Sequence, residues 1–176
     1  MRHILLVDDE PHVLHALQRT LRQQLQDKEV KFELFTEPQK ALERCVEGIV
    51  FDIVISDYRM PEINGVDFLK TVKLMQPDAV RLMLSASSDV QAVIHAVNEA
   101  EVFRYILKPW QSEDLENSMR LALAHRDKKL EERRLADQAR VQRGDMTPQE
   151  LEAKRLEEQE PGITKVNWGE DGSVIL

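Results

Sequence analysis

Side chains suited to phosphoryl chemistry stand at the ends of short β-rich runs. Asp8 and Asp9 follow Ile4–Val7, Asp57 follows Ile53–Ser56, Ser85 follows Leu82–Leu84, and Lys108 follows Phe103–Leu107. Singly, each has an ordinary use. Asp9 in "DDEP" can cap the helix that Pro11 opens, Ser85 can cap a loop, and a lysine before proline is commonly a surface group. Together they say more, because in an open parallel α/β sheet ligands bind beyond the carboxyl ends of the strands. If the first and third runs are neighbours, three carboxylates converge, and like charges that close demand a cation. Mg²⁺ suits hard oxygen ligands, needs one or two carboxylates, and keeps waters that a phosphate can replace. Lys108 adds a positive charge and Ser85 a hydroxyl donor, the parts that neutralise a transferring phosphoryl group. An aspartate so placed can act as the nucleophile, which makes Asp57 the expected acceptor.

The elements that must position these groups alternate in period from Ile4 to about Ala124. The β-rich runs are Ile4–Val7, Phe32–Phe35, Ile53–Ile55, Leu82–Leu84 and Phe103–Leu107. Between them lie helical spacings: Val13, Leu14, Leu17, Leu21; Ala41, Leu42, Cys45, Val46; Val66, Leu69, Val72; and Val90, Val93, Ile94, Val97. Pro11 suits a first helical turn, Thr36-x-x-Gln39 and Ser88-x-x-Gln91 read as capping boxes, and Gly48 can end the second helix. The pattern predicts an α/β fold with a five-stranded parallel sheet covered on both faces. The first and third strands are continuous apolar runs and should be central; "KFELF" alternates and should be an edge.

A further helix is expected from Ser112, with Glu113 and Asp114 in its first turn, running on to Gly144. "TPQE" at 147–150 restarts a helix, and two β-like runs around residues 169–172 suggest a small hairpin. The expected divisions are 1–125, a charged helical extension 126–160, and a tail 161–176. The net charge of −8 is uneven: −6 over 1–125, +3 over 126–143 and −5 over 144–176. An acidic body disfavours direct nucleic-acid binding. One cysteine excludes an internal disulfide framework, and no run reaches signal-peptide or membrane-spanning length. A cytoplasmic protein is expected.

With "LLVDDEP", "IVISDYRMPEINGVDFL", "RLMLSAS" and "YILKPW" in this order, residues 2–124 resemble the receiver domain of two-component response regulators. The resemblance implies a flavodoxin-like sheet of order 2-1-3-4-5. It implies phosphorylation of Asp57 by a sensor histidine kinase or a phosphotransfer protein, with Asp9, Asp57 and the backbone carbonyl of Arg59 holding Mg²⁺ and Asp8 acting mainly through a metal-bound water. Ser85 would bond a phosphoryl oxygen, where the family often has threonine. Lys108 would pair with the phosphoryl charge, Tyr105 would be the rotating switch aromatic, and Lys108–Pro109 would be cis. The surface of the fourth helix, fifth strand and fifth helix would then rearrange for a downstream protein partner or a second copy, with the C-terminal helix as another route to a homodimer.

Such a protein would be a phosphoacceptor rather than an enzyme with a substrate of its own, and residues after 125 are too few for a cyclase, phosphodiesterase or ATPase module. A phosphorelay intermediate or phosphate sink is the second reading. A Mg²⁺-dependent phosphohydrolase would place its nucleophile after the first strand in an Asp-x-Asp arrangement, where this chain has adjacent Asp8 and Asp9. A flavin binder of the same fold would meet repulsion between the carboxylates and its phosphate.

Overall fold

Alternation along the central strands sorts the apolar side chains onto two faces. Leu5, Val7, Val54 and Met83 pack on one side; Ile4, Leu6, Ile53, Ile55, Leu82 and Leu84 pack on the other. In the computed structural model, which describes residues 1–25, 29–86, 94, 98–159, 167–168 and 174–175, these residues belong to parallel strands. The strands are β1 (Arg2–Val7), β2 (Val30–Phe35), β3 (Ile53–Asp57), β4 (Val80–Ala86) and β5 (Arg104–Lys108). They form a 5-stranded sheet in the order β2-β1-β3-β4-β5, the expected flavodoxin-like arrangement.

Each face needs helices to keep its side chains from water. α2 (Pro38–Val46) and α3 (Gly65–Met75) bury Ala41, Leu42, Cys45, Val66, Phe68, Leu69 and Val72 on the first face. α1 (Pro11–Gln24) and α4 (Ser112–Arg143) cover the second, with Leu14, Leu17 and Leu21 from α1 and Leu115, Met119, Ala122 and Leu123 from α4. Spacings of three and four residues put each set on one stripe of its helix.

Helix ends follow backbone rules more closely than side-chain ones. Pro11 opens α1 as expected, and Gly48 and Gly144 follow α2 and α4 with φ of 89° and 79°. Thr36 does not cap α2: Pro38 starts it, Glu37 is the extended N-cap, and Thr36 lies one residue too early. Ser112 does not cap α4 either. The Leu115 N–H donates to the Gln111 carbonyl at 3.1 Å, so Ser112 is already inside the helix, and its hydroxyl accepts from Gln24 at 3.1 Å. The expected Ser88 cap and most of the Val90–Val97 pattern lie outside the described residues; Ile94, Asn98 and Glu99 are helical. Among the described residues no helix is long and apolar enough to cross a membrane.

The chain divides into two compact units, 1–129 and 130–176. The first runs beyond the expected boundary at residue 125 because the next turn of α4 is tied to the sheet's opposite end. Arg126 lies 3.5 Å from Asp52, Asp127 pairs with Arg2, and the Lys129 ammonium donates to the Pro77 carbonyl at 2.7 Å. In the second unit, Thr147 and Glu150 cap α5 (Pro148–Gln159) reciprocally: the Thr147 N–H donates to the Glu150 carboxylate at 2.7 Å, and the Glu150 N–H to the Thr147 hydroxyl at 3.2 Å. Asp137 there is buried and pairs with Lys154. β6 (Asn167–Trp168) and β7 (Val174–Ile175) pair antiparallel, in keeping with the expected hairpin, whose turn lies outside the described residues.

The sheet's two margins differ. On β2, Glu33 accepts from Arg44 at 2.7 Å and lies 3.1 Å from Lys31, so charge lines that rim. On β5, Tyr105 and Leu107 are 49% and 47% exposed.

Candidate functional site: a carboxylate pocket at the sheet edge

Strand register sets the level of the site. Val7 pairs with Ser56, Asp57 with Leu84, and Ala86 with Lys108, so Asp8, Asp57 and Lys108 emerge together at one end of the sheet. Apolar neighbours on both faces then force their polar ends to satisfy one another. Asp8 is fully buried; one oxygen accepts from the Glu10 N–H at 3.0 Å and the other from the Lys108 ammonium at 2.7 Å. Asp57, 6% exposed, takes the same ammonium on one oxygen and the Arg59 N–H, at 2.6 Å, on the other. Lys108 thus bridges two carboxylates.

The electrostatics follow from burial. Desolvation pushes the Asp57 carboxyl up from its ordinary value; contact with Lys108 opposes this, the Asp8 charge adds to it, and the Arg59 N–H opposes it. For Lys108, burial works against the charged form, yet bonds to Asp57 and Asp8 outweigh it and hold the ammonium above its ordinary value. The pocket keeps its cation beside a carboxyl whose charged form burial opposes.

The other expected residues take distinct places. Asp9 is exposed at the surface, next to the pocket in sequence, and it does not cap α1, whose N-cap is Glu10. Ser85 is buried at the end of β4, and its hydroxyl donates to the Ala86 carbonyl at 3.1 Å. Tyr105 is level with Met83 and half exposed; with Phe103, Leu107, Pro109 and Trp110 it lines a groove of about 640 Å³. The Lys108–Pro109 peptide is cis.

Gly65 escaped the sequence reading. Its N–H donates to the Tyr58 carbonyl at 2.8 Å, and a Cβ added there would lie 2.1 Å from the Asp57 carbonyl oxygen. Only a residue without a side chain lets α3 begin so close behind the acceptor. Asn64 caps that helix by accepting from the Asp67 N–H at 3.0 Å, and the dipeptide Asn64-Gly65 was the available signal.

The donor set suits Mg²⁺. Oxygen carboxylates face one point, and a side-chain ammonium already stands as cation between two of them. Among the described residues no three acidic, histidine or cysteine side chains close on a common point by themselves. Mg²⁺ does not need three, since it binds through one or two carboxylates and retains water.

Comparison with known proteins bears on the same residues. The family model described as response regulator receiver domain matches residues 4–120. The hydrogenase transcriptional regulatory protein HoxA of Bradyrhizobium diazoefficiens is 38% identical over 120 residues, 68% of this chain and 24% of that protein. The transcriptional regulatory protein ZraR of Escherichia coli K12 is 33% identical over 122 residues, 69% of this chain and 26% of its own length. The chain therefore spans about a quarter of these regulators. Among solved structures, the signal receiver domain of an HD domain-containing protein from Pseudomonas fluorescens Pf-5 aligns with a TM-score of 0.65 and 30% identity, covering 74% of this chain and 92% of that one. A response regulator receiver domain protein from Clostridium thermocellum gives 0.64 and 27%, covering 74% and 98%.

Proposed function

Since this chain belongs to the response regulator receiver domain family, we propose that it is a phosphoacceptor switch in which Asp57 takes a phosphoryl group from a phosphohistidine. Receiver domains are signalling proteins whose partners are histidine kinases, and Mg²⁺ is the family's metal. The observation that carries the reading for this chain is the ammonium of Lys108 shared between Asp8 and Asp57 at the carboxyl edge of the sheet.

In the proposed reaction a carboxylate oxygen of Asp57 attacks phosphorus, the phosphorus–nitrogen bond of the donor breaks with its electron pair going to nitrogen, and the donor histidine, already protonated on its other ring nitrogen, leaves as neutral imidazole. The product is an acyl phosphate on Asp57. Lys108 is freed from Asp57 to pair with a phosphoryl oxygen while Asp8 keeps it in place. Ser85 turns its hydroxyl from the Ala86 carbonyl to another phosphoryl oxygen, and Tyr105 follows into the space released. Asp9, Asp57 and the Arg59 carbonyl would hold Mg²⁺, with Asp8 acting mainly through a metal-bound water, and the ion would supply positive charge to the transferring group. The output is contact with a protein partner or a second copy; the transcriptional roles named for HoxA and ZraR belong to those longer proteins.

Exposure of the whole chain to a small phosphoramidate with Mg²⁺ tests the assignment. Intact mass should rise by one phosphoryl group, and Asp57→Asn should take up none. Equal labelling of Asp57→Asn refutes the acceptor.

A further inference from the structure

Arg81 is 3% exposed at the start of β4, and nothing in the phosphoryl chemistry uses it. Burial works against its charge, opposed by the nearby Glu101 carboxylate. A guanidinium is retained in such a place only if its donors are matched. They go mainly to main chain: Nε donates to the Ala100 carbonyl at 2.8 Å, one terminal nitrogen to the Ala79 carbonyl at 2.7 Å, and the other lies 3.5 Å from the Glu101 carbonyl and 3.6 Å from the Glu101 carboxylate.

A second, independent observation falls on the same spot. Glu101 has φ of +49°, a left-handed conformation that costs a side-chain-bearing residue. That turn presents two successive carbonyls to one planar fork. The segment is further pinned from α3, where Lys73 reaches the Glu101 carboxylate at 2.7 Å and Lys70 reaches Glu99 at 2.6 Å. Two residues later the Phe103 N–H donates to Arg81's own carbonyl at 2.8 Å, and β5 begins.

We propose that Arg81 is a positioning residue for the switch: by holding Ala100 and Glu101 in this strained turn it fixes where β5 enters the sheet, and so sets the resting place of Tyr105. Among the described residues β5 is an edge strand paired to β4, so its entry point carries unusual weight. Remove the fork and the Ala100 and Ala79 carbonyls lose buried donors, Glu101 relaxes toward ordinary dihedrals, and the strand shifts under Tyr105. Lysine cannot substitute, because a single ammonium does not reproduce the planar fork. The assignment rests on reading Tyr105 as the aromatic that responds to phosphorylation.

The test uses the full chain carrying Arg81→Met or Arg81→Lys, followed by amide exchange and backbone resonances. Without any phosphate, protection of the Phe103 and Tyr105 amides should fall about tenfold, the factor equivalent to about 1.4 kcal/mol. Resonances of residues 103–107 should shift, while those of β1 and β3 stay put. Adding Glu101→Gly to Arg81→Met should return part of the protection, since glycine takes the left-handed turn without cost. With phosphoramidate and Mg²⁺, both arginine variants should label Asp57 at a rate within about twofold of the parent. Unchanged protection and resonances at 103–107 in Arg81→Lys overturn the proposal, as does loss of protection spread evenly over the sheet. Failure of Asp57 to label in the parent instead strikes the phosphoacceptor reading and leaves the phosphate-free arm standing.

Discussion

At the scale of the residue, the pocket is a balance that one cation keeps. Lys108 offsets two buried carboxylates, Asp8 and Asp57, so Lys108→Met leaves both without it. Removing one partner of a buried ionic set costs about 3 kcal/mol. Urea unfolding should show that loss in EDTA and a larger recovery on adding Mg²⁺ than the parent shows; equal Mg²⁺ responses would count against a metal bound by these carboxylates. Gly65→Ala probes the wall behind the acceptor. A methyl group 2.1 Å from the Asp57 carbonyl forces the backbone apart, with an expected cost of about 1–3 kcal/mol and slower labelling of Asp57. Parental stability and rate together would show that α3 can move aside freely. The sequence made the chemical residues legible because they punctuate apolar runs, as Asp57 does after Ile53–Ser56. It hid Gly65 and Arg81, whose importance comes from backbone approached across space: the Asp57 carbonyl for one, the Ala100 carbonyl for the other.

Elements obey a coarser grammar. Strands β1 and β3 were readable because both faces are covered and every position can be apolar, whereas β2 alternates and lies at the margin. Caps were less readable, since a proline two residues after Thr36 decides where α2 starts whatever the threonine offers. The join between β2 and α2 is electrostatic. Arg44 bonding lowers the Glu33 pKa, against burial and helped by Lys31. The folded state therefore binds fewer protons at Glu33 than the unfolded chain does. Its contribution is complete above the unfolded carboxylate value of 4.5 and disappears as pH falls through the depressed folded value. Glu33→Gln should lower the thermal midpoint at pH 7, and the gap from the parent should close in acid. A gap independent of pH would mean that packing, not charge, is lost.

For the whole molecule, the boundary at Lys129 makes a direct prediction. The three ties at Arg126, Asp127 and Lys129 lie inside the first unit, so a chain ending after Lys129 should keep the unfolding midpoint of the sheet and the labelling of Asp57. A chain ending at residue 125 lacks those ties and should unfold more readily. Equal midpoints for the two truncations would show that the last turn contributes nothing. Sequence periodicity placed the limit earlier because these anchors are ionic, Arg126 to Asp52 and Asp127 to Arg2, and carry no apolar signature.

The make-up of the sheet's rims reaches beyond one molecule. Charges at Lys31, Glu33 and Arg44 discourage another strand from joining at β2, and β5 sets the exposed Tyr105 and Leu107 between Arg104 and Lys108. Ionic groups thus stand on both outer strands, Lys31 and Glu33 on β2 and Arg104 and Lys108 on β5, and they act as a brake on fibre growth.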